Sequence, residues 1–451
     1  MKKYIPLIAL AFCSLIICGC RKYLDEKPDA KLDVPTTLTD FQALLDRYPV
    51  INNEDPAAGE ISADNYFLAD TDYLALSQQT DRNMYTWQKD NLFVPQSNDW
   101  YYAYRPVFTS NTILEGLNNI TETAGNRSGY NNVKGQALFV RGKAFLEIAS
   151  LWASAYDEST ASTQLGIPLR LGADFNQPSV RSNLQETYTQ IISDLTSAAA
   201  LLPVTSIQVL RPSKPAAFAL LARTYLFMRR YDKAGLYADS CLQLYNKLLD
   251  YNTLNAAANG PISQFNAEVI QESIIPVPEI LYNIARIDSQ LYKSYAANDL
   301  RKTIFFKPGN NGTHIFKGSY EGNANLFSGI ATDEVYLMRA ECFARAGTTS
   351  EAMKDLNTLL INRFQASSFL PYTATSSTAA LSLVLAERRK ELLMRGLRWA
   401  DLKRLNKEGA NITLTRNVSG QTYVLPPDGP RYALPIPDDI IQLTGMRQNP
   451  R

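Results

Sequence analysis

The chain has a single histidine in 451 residues. A Ser-His-Asp triad would have to use His314, and neither a His-rich zinc site nor an HExxH helix can be assembled from one imidazole. No GxxxxGK[ST] loop and no CxxC pair is present, which removes the common phosphate cradle and the dithiol redox motif. An excess of one charge is lacking too: 45 basic against 44 acidic residues give a formal net charge of +1. Without a concentrated Lys/Arg stripe, nucleic-acid binding, which rests on phosphate neutralisation, has no electrostatic basis. Carboxylates are plentiful, but no spacing selects a pair for glycosidase chemistry. The Asp70-Thr71-Asp72 run lacks the later Gly and Glu of a calcium loop and reads as a turn. No metal and no cofactor is expected.

A membrane-spanning run is also missing. The apolar stretch from Tyr4 to Ile17 falls short of the roughly 20 residues a spanning helix needs. It follows Lys2 and Lys3 and ends in Ile17-Cys18-Gly19-Cys20, which reads as a secretory signal and resembles a bacterial lipobox. That motif implies removal of residues 1–19 and acylation of Cys20 at its thiol and new amino group. Each methylene buried in a bilayer contributes about 0.8 kcal/mol, so several chains anchor stably where one is marginal. Residues 20–36, polar and punctuated by proline, then read as a tether. Of five cysteines, Cys13 and Cys18 would leave with the signal, and Cys241 and Cys342 fall in amphipathic helical patterns as buried free thiols.

What is present behind the tether is an ordinary globular composition, 45% hydrophobic and 20% charged, consistent with one domain over residues 37–451. "TLTDFQALLDRYPV" predicts a first helix with a Thr cap. Residues 51–97 show no sustained period and read as loops. Helical spacing returns in "NDWYYAYRPVFTSNTILEGLNNI", with Trp100 expected in the core. In "AFALLARTYLFMRRYDKAGLYADSCLQL", Phe218, Ala222, Tyr225, Tyr231, Ala234 and Ala238 take the large and small places of a tetratricopeptide-like unit. "VYLMRAECFARAGTTSEAMKDLNTLL" repeats the logic with Tyr336, Ala340, Phe343, Ala352 and Leu356, and Gly347 suits the end of its first helix. The units are not contiguous, so a long insertion, chiefly Tyr251 to Ile330, must leave the scaffold and return. The expected fold is mainly α: a tetratricopeptide-like helical-repeat scaffold with long irregular insertions near 51–97 and 251–330.

"ERRKELLMRGLRWADLKRL", residues 387 to 405, spaces Glu391 and Arg395 at i,i+4, and Asp401 three residues from both Arg398 and Arg404, which predicts a helical segment laced by ion pairs around a core Trp399. This segment resembles the C-terminal signature of SusD/RagB-family lipoproteins. "CRKYLDEKP" is similar to that family's lipidated start, "GIPLR" followed by "VRSNLQETYTQIISDLTSAAALLP" to its central segment, "RPSKPAAFALLARTYLFMRRYDKA" to its repeat helix, and "YALPIPDDIIQLTGMRQNPR" to its close. The ending "QNPR" and the apolar "ELLMRGLRW" depart from the family's usual text and set the chain apart from its starch-binding members. The resemblance implies a non-enzymatic lipoprotein of the outer membrane, facing the cell exterior. It would capture an oligosaccharide, or a peptide, and cap a SusC-like TonB-dependent transporter. An anchored glycosidase and a purely structural helical-repeat adaptor are the competing readings.

Because no motif fixes the ligand contacts, candidates come from aromatic and amide-rich loops, where flat rings match the C–H faces of sugars and polar groups meet hydroxyls. They are Asp64, Asn65, Tyr66, Tyr73, Arg82 and Trp87 in the first insertion, and Tyr292 and Tyr320 in the second. Trp87, an aromatic among polar neighbours, is the leading candidate.

Overall fold

Thr37 opens the first helix, its hydroxyl accepting from the Asp40 backbone N–H at 3.2 Å while the Asp40 carboxylate accepts from the Thr37 N–H at 2.9 Å. This reciprocal capping box satisfies two donors that the helix cannot. In the computed structural model, which describes residues 35–451, ten helices form the frame. They are α1 (Leu38–Leu45), α2 (Asp99–Leu117), α3 (Arg127–Trp152), α4 (Leu184–Leu201), α5 (Lys214–Phe227), α6 (Tyr231–Leu244), α7 (Thr332–Arg345), α8 (Thr349–Leu360), α9 (Ser377–Glu391) and α10 (Arg398–Asn406). Cys20 and the lipobox-like stretch lie outside the described residues.

From α2 to α6 each helix packs on the one before it, and α6 packs directly on α7 although the intervening chain departs after Leu244 and returns at Thr332. The row then continues through α8 and α9 against α7. Small residues set the spacing: Ala222, Ala234, Ala340 and Ala352 are fully buried, so backbones approach closely there. Aromatic side chains fill the grooves beside them, as in the parallel stack of Tyr225 on Tyr237 at 5.6 Å. Gly347 ends α7 with φ +82°, a conformation that favours glycine. The tetratricopeptide-like helical scaffold expected from the two repeat units is therefore present, and Cys241 and Cys342 are buried free thiols within it. Trp100 is core, edge-on to Trp152 at 5.2 Å.

The insertion between α6 and α7 folds as short strands. Val269–Gln271 pairs with Ile330–Ala331 at its root. Farther out, a four-stranded antiparallel sheet has the order Tyr66–Phe67, Arg286–Ile287, His314–Phe316, Phe306–Pro308. The two expected insertions thus share one sheet.

Buried ion pairs fasten this insertion to the frame. Arg301, wholly buried, bonds Asp299 at 2.7 Å, Glu387 at 2.7 Å and Glu391 at 2.8 Å, the last two on α9. Arg363 bridges Glu391 at 2.6 Å to Glu268 at 2.7 Å. Such pairs add little against apolar packing, but a missing partner costs several kcal/mol, so they specify how the parts fit.

Two expectations are corrected. Loops hold most of residues 51–97, as expected, but short helices interrupt them at Ala58–Ser62, Asp70–Ala75 and Gln79–Tyr85. Asp70 and Asp72 lie in the first turn of the second of these, where acidic side chains complement the helix dipole, rather than in a free turn. Residues 387 to 405 do not form one helix either. The chain turns a corner between α9 and α10, with φ +57° at Met394 and +71° at Gly396. That corner sends Glu391 to Arg301 and Arg363, and Arg395 to Asp333 at 3.0 Å, so the i,i+4 pair does not form. Arg398 bonds Asp64 at 2.7 Å instead of Asp401. The Asp401–Arg404 pair at 2.7 Å does form, and Trp399 is 1% exposed.

Candidate ligand pocket in the long insertion

The corner that breaks the predicted helix also supplies the floor of a pocket. Met394, Leu326 and Leu281, all buried, join Val277 in the apolar lining of a cavity of about 270 Å³. The walls come from the insertion and carry polar groups. A 3-10 turn, Glu279–Leu281, delivers Tyr282 and Asn283 to the rim, and Asn283 takes φ +58°, which asparagine tolerates better than most residues. Tyr282 is 52% exposed.

Opposite them, the hairpin of Phe306–Pro308 and His314–Phe316 carries Lys307 at its start and Lys317 just after its end. Lys307 Nζ donates to Asn283 Oδ1 at 2.7 Å. Lys317 Nζ donates to the carbonyls of Ala256 and Ala258 at 2.6 and 2.9 Å, holding the 256–258 turn. Burial, and then the neighbouring charge of Lys307, hold the Lys317 ammonium below its usual pKa.

A third wall is the 319–325 loop. Gly260 and Gly322 let two backbones meet there, since a Cβ on Gly260 would lie 2.1 Å from the Gly322 carbonyl oxygen. Asn323 donates to the Glu321 carbonyl at 3.1 Å, and its own oxygen accepts from the Asn325 N–H at 2.8 Å. Behind the loop Tyr320 is fixed by Glu268 at 2.5 Å and Asp333 at 3.1 Å, so the wall is mounted on the buried ion network. A ring, amide groups and ammonium donors above an apolar floor can stack on a sugar face and exchange hydrogen bonds with hydroxyls.

A second cavity of about 270 Å³ lies between α2, the 168–179 loop and the helix Asp438–Thr444. Its polar groups are already used: Tyr104 donates to the Pro168 carbonyl at 2.9 Å, and Asn111 to the carbonyls of Arg170 and Gly172 at 2.8 and 3.1 Å. It offers a ligand mainly apolar surface, with Phe175 stacked on Phe108 at 4.6 Å.

The sequence-selected residues mostly support this architecture from inside. Trp87 is not an exposed ring: it is 4% exposed, donates to the Ser62 carbonyl at 2.9 Å, and lies 4.7 Å from the Arg416 guanidinium. Tyr66 and Asn65 are buried, bonded to Ile61 and Glu60 at 2.9 and 2.7 Å. Asp64 pairs with Arg398 and Arg389, which against the cost of burial lower its pKa to about 2. Tyr73 packs on Tyr85 at 5.8 Å, and Arg82 bonds Gln79 at 3.0 Å. Tyr292, on the short helix Ser289–Lys293, is half-buried and stacks at 3.4 Å on His314 of the sheet, outside the pocket's lining. Tyr320 is 2% exposed, behind the third wall.

Tyr282, Asn283, Lys307, Lys317 and Asn323 were not selected. One signal was available: "KPGNNGTHIFKG" places turn formers between two β-prone ends, and closing that hairpin returns Lys307 and Lys317 to one end.

Two family models match the chain, one described as "Starch-binding associating with outer membrane" over residues 22–226, the other as "SusD family" over residues 332–451. Residues 227–331, which carry most of the pocket, fall between them. No curated protein matches. Among solved structures, a putative sugar binding protein from Bacteroides vulgatus superposes with a TM-score of 0.76 at 24% identity, covering 93% of this chain and 99% of that one. A SusD superfamily protein from Bacteroides thetaiotaomicron gives 0.74 at 21% identity, covering 92% and 100%. A SusD-like carbohydrate binding protein from Bacteroides vulgatus gives 0.69 at 20% identity, covering 91% and 97%. At these identities the likeness establishes a shared fold.

Proposed function

Because the chain belongs to the SusD family, we propose that it is a cell-surface binding protein that captures oligosaccharides and passes them to a SusC-like TonB-dependent transporter in the outer membrane. The observation that carries this reading is the insertion pocket, where the exposed Tyr282 ring stands among Asn283, Asn323 and Ser319 over an apolar floor. That combination suits a solvated, hydroxyl-rich ligand bound by many weak contacts. Affinity is then modest, which favours release to a transporter.

Family membership supports association with the outer membrane. No helix among the described residues is long and apolar enough to cross a bilayer, which is compatible with attachment through acyl chains at Cys20. The chain acts in this reading as a carrier and not as an enzyme. The helical frame, with its wide exposed faces, offers the contact surface toward the transporter.

Titration calorimetry of the purified protein against oligosaccharide and peptide panels tests the reading. Binding of an oligosaccharide that weakens in Tyr282→Ala supports it. Binding of peptides alone, or release of shortened sugars during incubation, replaces it with the peptide-carrier or glycosidase alternative.

A further inference from the structure

The lysines of this pocket lack the carboxylate partners that the arginines of the buried ion network have. Arg301, Arg363, Arg388, Arg395 and Arg404 are all buried, and every one is bonded to a carboxylate. Among the described residues no Asp or Glu lines the insertion pocket, and neither Lys307 nor Lys317 forms a salt bridge. Lys307 spends one of its three N–H donors on a neutral amide, and Lys317 spends two on backbone carbonyls. Two donors of Lys307 and one of Lys317 are left over.

A carboxylate does come near, for Glu321 precedes the rim residue Gly322, but its side chain turns away to accept from Gln264 at 2.9 Å against the buried Glu272. Burial and that facing carboxylate raise Glu321 far above the ordinary carboxylate range, so it adds little negative charge to the pocket. Uncompensated like charges in a concave, partly desolvated site focus a positive potential. The depression of Lys317 has Lys307 as its second cause, a repulsion that a bound anion would relieve and a neutral sugar would not.

Resting on the reading of this cavity as the sugar site, we propose that its ligand class is anionic: oligosaccharides bearing uronate carboxylates or sulfate esters, gripped by the ammonium groups of Lys307 and Lys317 while Tyr282 stacks on a ring. Charge-assisted hydrogen bonds are roughly twice as strong as neutral ones, so the two lysines dominate selectivity over the amides. Binding also favours the protonated form of Lys317, so affinity for an acidic chain weakens as pH rises toward the alkaline range.

The test is calorimetric titration of the full-length protein with a tetragalacturonate and a chondroitin sulfate tetrasaccharide, set against maltotetraose and xylotetraose. The expected result is binding of at least one acidic probe about tenfold or more tighter than either neutral one, weakening as sodium chloride is raised. Binding of tetragalacturonate shows that carboxylates suffice, whereas binding of the chondroitin sulfate probe alone, which carries both uronate carboxylates and sulfate esters, points to the sulfate. Lys307→Gln should lose about tenfold in affinity for that probe, Lys307→Arg should retain most of it, and Lys354→Gln, on α8 outside the pocket, should change nothing. Unlike Lys317, Lys307 holds no backbone turn, so its replacement leaves the fold readable by thermal melting. Equal or tighter binding of a neutral probe, or an affinity indifferent to Lys307→Gln, overturns the anionic class while leaving sugar capture standing. Failure of all four sugars to bind overturns both.

Discussion

Lys307 and Asn283 meet across the mouth of the insertion pocket, the ammonium donating to the amide oxygen at 2.7 Å. That bond fixes which way the amide points. The Asn283 nitrogen is left as a donor beside the two unused donors of Lys307. A capture site needs such preorganisation, because each contact to a solvated sugar returns little net free energy.

The half-exposed Tyr282 ring should contribute to binding and little to stability. Tyr282→Ala should weaken oligosaccharide binding by about tenfold and leave the melting temperature within about 2 °C of wild type. Calorimetric titration and a thermal melt of the same sample check both halves, and a large drop in melting temperature would make Tyr282 a packing residue.

Trp87 should behave in the opposite way. Its ring is buried between Ser62 and Arg416, so Trp87→Ala should cost about 3–5 kcal/mol in denaturant unfolding. A loss under about 1 kcal/mol, with altered ligand affinity, would return Trp87 to the surface role its sequence neighbours suggested.

Arg301 joins the insertion to α9 through Glu387 and Glu391. Removing its charge in Arg301→Met leaves the buried Asp299 without a cation and takes one of two from Glu387 and from Glu391, and should destabilise the protein by about 3–5 kcal/mol. Hydrogen exchange locates the damage: the 299–305 segment and α9 should lose protection together, and uniform loss across the chain would contradict a local fastening role.

Asp401 provides the pH dependence. Burial raises its pKa, but Arg388 at 2.9 Å and Arg404 at 2.7 Å outweigh that cost and lower it to about 2. A depressed carboxylate contributes stability above its unfolded pKa and loses it as pH falls through the folded one. The contribution is about 2 kcal/mol, and the stability gap between wild type and Asp401→Asn should close between about pH 4 and pH 2. A gap that stays constant over that window would show the ion pairs to be irrelevant.

The helical frame was legible because its packing is local. Ala222, Ala234, Ala340 and Ala352 recur among large residues at helical spacing, and Gly347 marks a helix end, all within short windows of text. Helices of five to seven residues in the 51–97 region left no period to read. Trp87 was misjudged for a different reason. Its sequence neighbours are polar, and the group that covers it, Arg416, arrives on a hairpin more than three hundred residues later. The pocket is similarly non-local, since Met394, Lys307 and Asn283 converge only once the insertion has docked on the α9–α10 corner. The motif that names the family was therefore also where the single-helix reading failed, because its positive-φ corner serves the pocket floor.

A crystal structure of the protein with a bound oligosaccharide tests the central claim most directly. The account predicts sugar density over Met394, with a ring stacked on Tyr282 and oxygens within hydrogen-bond distance of Asn283, Lys307 or Asn323. Sugar seated instead in the apolar cavity beside Phe108 and Phe175, with the insertion pocket holding only water, would contradict it.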